Sequence, residues 1–156
     1  MALAVGTKAP DFKLFNTSKK EVSLTDFSGK NLIIHFFPAA FTGVCTEQMC
    51  STSDDLTFYS GLNAEVVGVS VDMLFSQAVF KEKHGIAFEL LSDFNKRMIH
   101  DYDMYFPNFA FGFKGVAKRG VVLIDKDGVV QYSEETKSPG DQVNFATLKA
   151  ALEKLK

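Results

Sequence analysis

Leu32-Ile33-Ile34-His35-Phe36-Phe37-Pro38-Ala39-Ala40-Phe41-Thr42-Gly43-Val44-Cys45-Thr46-Glu47-Gln48 carries the reading of this chain. Its first six residues form a dense apolar run, interrupted only by His35, that reads as a buried strand. Pro38 stops the strand, because proline cannot donate to a central ladder. Past Thr42-Gly43 the patterning turns helical over about residues 43–62, which puts Cys45 in the first turn of a helix. There the backbone dipole and the unpaired N–H groups favour a thiolate. A free cysteine is also commonly a small buried hydrophobe, so position alone leaves both readings open.

Outward from this stretch, Phe12-Lys13-Leu14-Phe15 and Glu21-Val22-Ser23-Leu24 flank a polar turn and predict a hairpin. Residues 65–71 are a second buried strand, followed by helical spacing over 74–84 with Phe75, Ala78 and Val79 on one face. A short strand is expected at 88–91 and a helix near 96–102. Residues 121–124 and 129–132 flank Asp125-Lys126-Asp127-Gly128, a hairpin turn signal. The segment 143–155 is amphipathic, with Val143, Leu148, Ala151, Leu152 and Leu155 as core candidates. Strands alternating with helices, then a hairpin and a helix, predict an α/β fold whose mixed central sheet is covered on both faces.

The 156 residues suit one domain spanning 1–156, and 46% hydrophobic with 23% charged residues is ordinary for a globular chain. A net charge of −2 makes no electrostatic case for nucleic acid or an anionic membrane. No apolar run approaches the roughly 20 residues of a spanning helix, and the N-terminus has no secretory pattern. A cytoplasmic location is expected, where two cysteines point to chemistry over a structural staple. Of the 16 phenylalanines, Phe36, Phe37, Phe41, Phe58, Phe75 and Phe80 read as core. The run Tyr105-Phe106-Pro107-Asn108-Phe109-Ala110-Phe111-Gly112-Phe113 is loop-like yet too aromatic for free solvent. It is expected to cover the active site or to form a partner surface.

Pro38, Thr42 and Cys45 together spell Pro-x-x-x-Thr-x-x-Cys, which resembles the active-site signature of the peroxiredoxins. Four further segments are similar to that family in the right order: Gly6-Thr7-Lys8-Ala9-Pro10-Asp11-Phe12, Ser23-Leu24-Thr25-Asp26-Phe27-Ser28-Gly29-Lys30, Leu90-Leu91-Ser92-Asp93 and Arg119-Gly120-Val121-Val122-Leu123-Ile124-Asp125. The resemblance implies a thioredoxin fold with an N-terminal β-hairpin extension, and a thiol peroxidase reducing hydrogen peroxide and organic hydroperoxides. Cys45 is then the nucleophile, oxidised to a sulfenic acid. Thr42 accepts from the peroxide and bonds the thiolate, a role compatible with capping the helix. Pro38 walls the pocket. The N–H groups of Val44 and Cys45 serve as oxyanion-type donors. Arg119 is identified as the family's active-site arginine, favouring the thiolate and polarising the peroxide. Gln48 matches a position that orients this arginine. Lys114 and Lys118 read as solvated, as do His84 and His100, while His35 reads as a satisfied core histidine. No Cys/His spacing suits a metal and no phosphate loop occurs, so neither metal nor cofactor is implied.

Cys50 lies five residues past Cys45, the spacing of a resolving cysteine in bacterioferritin-comigratory (Q-type) peroxiredoxins. The contexts Phe41-Thr42-Gly43-Val44-Cys45 and Gly115-Val116-Ala117-Lys118-Arg119-Gly120 instead resemble the E-type, one-cysteine enzymes. Two cycles follow: resolution by Cys50 with thioredoxin or a similar thiol as reductant, or a one-cysteine cycle in which Cys50 is only a packing residue. A peroxide-sensing relay protein would use the same residues. A thioredoxin-type disulfide reductase is disfavoured, since no Cys-x-x-Cys exists. In a helix, residues five apart have Cα atoms roughly 8–9 Å apart, and a disulfide spans about 7 Å at most. A Cys45–Cys50 bond therefore requires the first turns of the helix to unwind. A homodimer built on residues 105–113 is the further expectation, although many Q-type members are monomers.

Overall fold

The chain enters through a hairpin of β1 (Lys13–Asn16) and β2 (Glu21–Ser23). Asn16 closes its turn, with Oδ1 accepting from the backbone N–H groups of Ser18 and Lys20. There follow β3 (Asn31–Phe36), α1 (Gly43–Asp54), α2 (Leu56–Ser60), β4 (Ala64–Ser70), α3 (Leu74–His84), β5 (Glu89–Ser92) and α4 (Arg97–Asp101). A small ribbon of β6 (Tyr105–Phe106) and β7 (Val116–Ala117) precedes β8 (Gly120–Ile124), β9 (Val130–Glu135) and α5 (Phe145–Glu153). The computed structural model describes residues 3–155.

Seven strands form one mixed sheet in the order β2-β1-β5-β4-β3-β8-β9. β3, β4 and β5 are parallel, as helical crossovers require, and β8 runs antiparallel to β3. The N-terminal hairpin joins β5 antiparallel through β1. This is the thioredoxin fold with an added hairpin at one edge. Among the described residues no helix is long and apolar enough to cross a membrane.

β3 is buried along its whole length, and its side chains alternate between two cores. Leu32, Ile34 and Phe36 meet Met98, Ile99 and Tyr102 on one face. Ile33 and Phe37 meet Met49, Tyr59, Phe80, Leu148 and Leu152 on the other. His35 points to this second face, beneath α1, where Gln48 and Thr52 receive it.

Several expectations change. The helix over 43–62 breaks at Asp55 (φ −98°, ψ 7°), giving α1 and α2. Ser51-Thr52-Ser53-Asp54-Asp55 is a run of poor helix formers, and the Thr52 hydroxyl bonds back to the Gln48 carbonyl, a contact that bends helices. On α3 the buried face is Gln77 and Phe80, whereas Phe75 and Val79 are 58% and 57% exposed. Gln77 turns the helix this way because its Nε2 donates to Ser70 Oγ and to the Leu91 carbonyl at the strand ends. Phe41 and Phe58, also expected in the core, lie at the surface, with Lys83 and Lys149 over their respective rings. Lys118, expected in solvent, is partly buried and donates to Glu135 at 2.6 Å. The ribbon of β6 and β7 was not legible as strand. α5 starts at Phe145 rather than 143, with Asn144 Oδ1 accepting from the Thr147 N–H as its cap.

Candidate active site

Thr42 is the N-cap of α1, so Cys45 is the third residue of its first turn, and it is fully buried. The N–H groups of Gly43, Val44 and Cys45 have no intrahelical acceptor at these positions. Thr46 is the first to close the ladder, donating to the Thr42 carbonyl. The loop ahead of the helix is pinned by Asp72, whose Oδ2 accepts from the Ala40 N–H at 2.8 Å. Phe41 holds the left-handed conformation (φ 69°), which is costly for a bulky residue, and its ring stands edge-on to Phe80. The Thr42 hydroxyl donates to the Ala39 carbonyl at 2.9 Å. Its single proton is therefore spent, and it can accept but not also donate to a thiolate, a change from the dual role expected.

Arg119 enters from the start of β8, with 3% of its surface exposed. The next residue, Gly120, lets β8 lie close against β9, since a Cβ there would lie 2.5 Å from the Glu134 carbonyl oxygen. The guanidinium donates from Nη2 to Cys45 Sγ at 3.2 Å and from Nη1 to Gln48 Oε1 at 2.8 Å. Nε and Nη2 both donate to the Pro139 carbonyl, at 3.1 and 2.9 Å. The buried cation thus contacts a carbonyl, an amide oxygen and a sulfur, and only the sulfur can supply negative charge. A buried charge left uncompensated is costly, so the arrangement suits an anion at Cys45.

Outside the thiol lies a cavity of about 510 Å³ lined by Pro38, Thr42, Val44, Phe106, Phe109 and Arg119, among others. The aromatic run 105–113 divides between two surfaces. Phe106 and Phe109 meet edge-to-face on the cavity wall, while Phe111 and Phe113 are 90% and 63% exposed. Pro38, Thr42, Val44, Cys45, Gln48 and Arg119 are therefore gathered in one place. Cys50 is not with them: it is half-buried on α1, unpaired with Cys45, and burial followed by the charge of Asp54 pushes its thiol pKa up.

Three participants escaped the sequence reading. The Pro139 carbonyl anchors Arg119 from a loop 20 residues downstream, in Ser138-Pro139-Gly140-Asp141, whose composition signals only a turn. Gln142 Nε2 donates to the Val44 carbonyl at 3.3 Å. His35 was legible as a core histidine but not as the neighbour of Gln48, because that contact depends on how α1 crosses β3.

Such a site can hold a thiolate, offer it an oxygen electrophile, and donate hydrogen bonds to a departing oxygen. The AhpC/TSA family matches residues 5–133. Peroxiredoxin Bcp of Bacillus subtilis is 34% identical over 130 residues, 82% of each chain. The mitochondrial thioredoxin-dependent peroxide reductase of Drosophila melanogaster is 36% identical over 143 residues, 85% of this chain and 59% of that one. A peroxiredoxin-like protein from Aquifex aeolicus superposes with a TM-score of 0.88 at 25% identity, covering 100% of this chain and 90% of that one. The match over most of its length shows that this chain belongs to the AhpC/TSA family, the peroxiredoxins.

Proposed function

We propose that this protein is a thiol peroxidase whose nucleophile is Cys45. One observation carries the assignment: a buried guanidinium 3.2 Å from a buried sulfur, with no carboxylate among its contacts. The Cys45 thiolate attacks the nearer oxygen of a hydroperoxide. An S–O bond forms, the O–O bond breaks, and the departing oxygen leaves as water or alcohol after taking a proton. Arg119 uses four of its five N–H groups on the contacts above. The remaining Nη1 hydrogen and the N–H groups of the first turn are the donors for the growing charge on oxygen. Thr42, whose hydroxyl oxygen retains its lone pairs, accepts from the peroxide O–H.

The product is a Cys45 sulfenic acid. Cys50 then attacks its sulfur and expels water, giving a disulfide that a thioredoxin-like dithiol reduces. The thioredoxin-dependent Drosophila relative supports a thioredoxin-like reductant, and the five-residue spacing of the two cysteines supports Cys50 as the resolving thiol. Two free thiols suit a reducing, cytoplasmic setting. A homodimer is the further reading, supported by the exposure of Phe111 and Phe113 beside the cavity. Intact mass after one equivalent of peroxide tests the cycle. Loss of two hydrogens supports the internal disulfide, gain of one oxygen points to the one-cysteine route, and an unchanged mass sinks the peroxidase assignment.

A further inference from the structure

Arginine only donates hydrogen bonds, so the Gln48 atom 2.8 Å from Nη1 is the amide oxygen. That settles the other side of the amide. Gln48 Nε2 lies 3.0 Å from His35 Nδ1 and 3.4 Å from the Phe36 carbonyl. An amide NH₂ cannot accept, so Nδ1 must be bare and the imidazole proton must sit on Nε2. This proton then points to Thr52 Oγ1 at 3.3 Å. Thr52 gives its own proton to the Gln48 carbonyl at 2.8 Å, which leaves its lone pairs to accept. Each group in the chain Arg119, Gln48, His35, Thr52 has one consistent role, and all four are buried.

We infer that His35 is a positioning residue, holding Arg119 against Cys45 by fixing which way the Gln48 amide faces. The inference rests on the reading of Cys45 and Arg119 as the peroxide-reducing pair. The oxygen and nitrogen ends of a glutamine amide have nearly the same shape, so packing alone does not choose between them. With a proton on His35 Nδ1, two donors would face each other across 3.0 Å. Turning the amide to relieve this would present its NH₂ to the guanidinium, again donor to donor. A bare Nδ1 selects the one orientation in which Arg119 is satisfied. Burial maintains this state by keeping the imidazole neutral down to about 3, and the Phe145 ring lies against it, 5.9 Å between centroids.

Two measurements test this on the full chain. In the reduced wild-type protein, ¹⁵N spectra of the His35 ring should show an unprotonated Nδ1 and a protonated Nε2 at neutral pH. A protonated Nδ1 overturns the inference without touching the peroxidase assignment. Peroxide reduction is then compared in His35→Leu, which removes the acceptor, and His35→Asn, whose Oδ1 can stand in for Nδ1. A single lost hydrogen bond predicts a rate loss of about tenfold for the leucine variant, largely restored by asparagine. In a Gln48→Met background, where the amide is gone, His35→Leu should change the rate no further. An equal loss in both backgrounds would mean that His35 acts through packing alone. Should the leucine variant not fold, the tautomer and the asparagine variant still decide. A wild-type protein that reduces no peroxide defeats the peroxidase reading instead, while the tautomer remains measurable.

Discussion

Cys45 and Cys50 stand on one helix, five residues apart, and their surroundings prepare them for opposite states. Cys45, in the first turn, is buried yet meets a guanidinium and the N–H ends of the helix. Cys50, more than a turn later, is half-buried, and burial together with Asp54 raises its thiol pKa. One sulfur faces a buried cation, and the other is set by burial and a nearby carboxylate. In the proposed two-thiol cycle it is environment that distinguishes the attacking thiol from the resolving one, since both side chains are chemically the same. It also gives unwinding two consequences. Opening the first turns of α1 lets the sulfurs meet and, where it reaches Cys50, relieves the burial that is the larger cause of its raised pKa.

The largest effects test which thiol is which. Cys45→Ser should abolish peroxide reduction with the fold intact, because a serine hydroxyl is not ionised at neutral pH; circular dichroism and peroxide consumption check both halves. Turnover above the buffer rate in that variant would transfer the chemistry to Cys50 and end the comparison. Cys50→Ser should still consume one equivalent of peroxide and then stop, losing thioredoxin-supported turnover. Wild-type recycling in that variant makes Cys50 a packing residue. Arg119→Met should slow the first oxidation on the order of 10²–10³-fold, the usual scale for removing a charge-stabilising donor. Stopped-flow mixing with peroxide measures it, and a loss smaller than tenfold would mean that the helix terminus alone activates Cys45.

Much of this arrangement could be read before any coordinates, for physical reasons that differ between regions. β3 and β4 are continuous apolar runs bounded by turn residues, and parallel central strands have that signature. The position of Cys45 followed from Pro38, a strand stop, and Thr42, a residue suited to an N-cap. The α3 face was misread because the helix carries two apolar stripes, and the choice between them lay with Gln77, whose amide serves strand ends far away in sequence. The break at Asp55 was in principle visible in the Ser/Thr/Asp run. The Pro139 contact was not, since a backbone carbonyl leaves no mark in residue identity. His35 is intermediate: its burial was legible, but its partners depend on a helix–sheet crossing.

His35 lies beneath α1 at Gln48 and Thr52, two residues on either side of Cys50, so acid should loosen the support of both thiols. Its folded pKa is lowered to about 3 by burial, from 6.5 when unfolded. The unfolded chain therefore binds the extra proton between these values, and stability falls as pH drops below 6.5. The slope is about 1.4 kcal/mol per pH unit, or about 2 kcal/mol between pH 6.5 and 5. Denaturant titrations of wild type and His35→Asn at the two pH values isolate this share, because other groups titrate alike in both. Equal slopes would show that the ring protonates in the folded state.

The smallest expected effect sharpens the comparison most directly. Asp54 lies four residues after Cys50, one helical turn away, and its charge is the second cause, after burial, of the raised Cys50 pKa. Asp54→Asn removes the charge while keeping the size of the side chain. In a Cys45→Ser background, where Cys50 is the remaining thiol, the substitution should lower the Cys50 pKa towards its ordinary value. Alkylation at neutral pH should then quicken by a few-fold, since the thiolate is the reactive form. The full ordinary reactivity should not return, because burial is the larger cause and remains. With Cys45 present, the first oxidation by peroxide should not change, as Asp54 makes no contact with the Arg119 site, whereas any step limited by Cys50 ionisation should accelerate. An alkylation rate that does not move would assign the protonation of Cys50 to burial alone. A rate that rises to that of an unfolded thiol would mean that Asp54 holds the end of α1 closed, and the contrast between the two cysteines would then be one of access rather than charge.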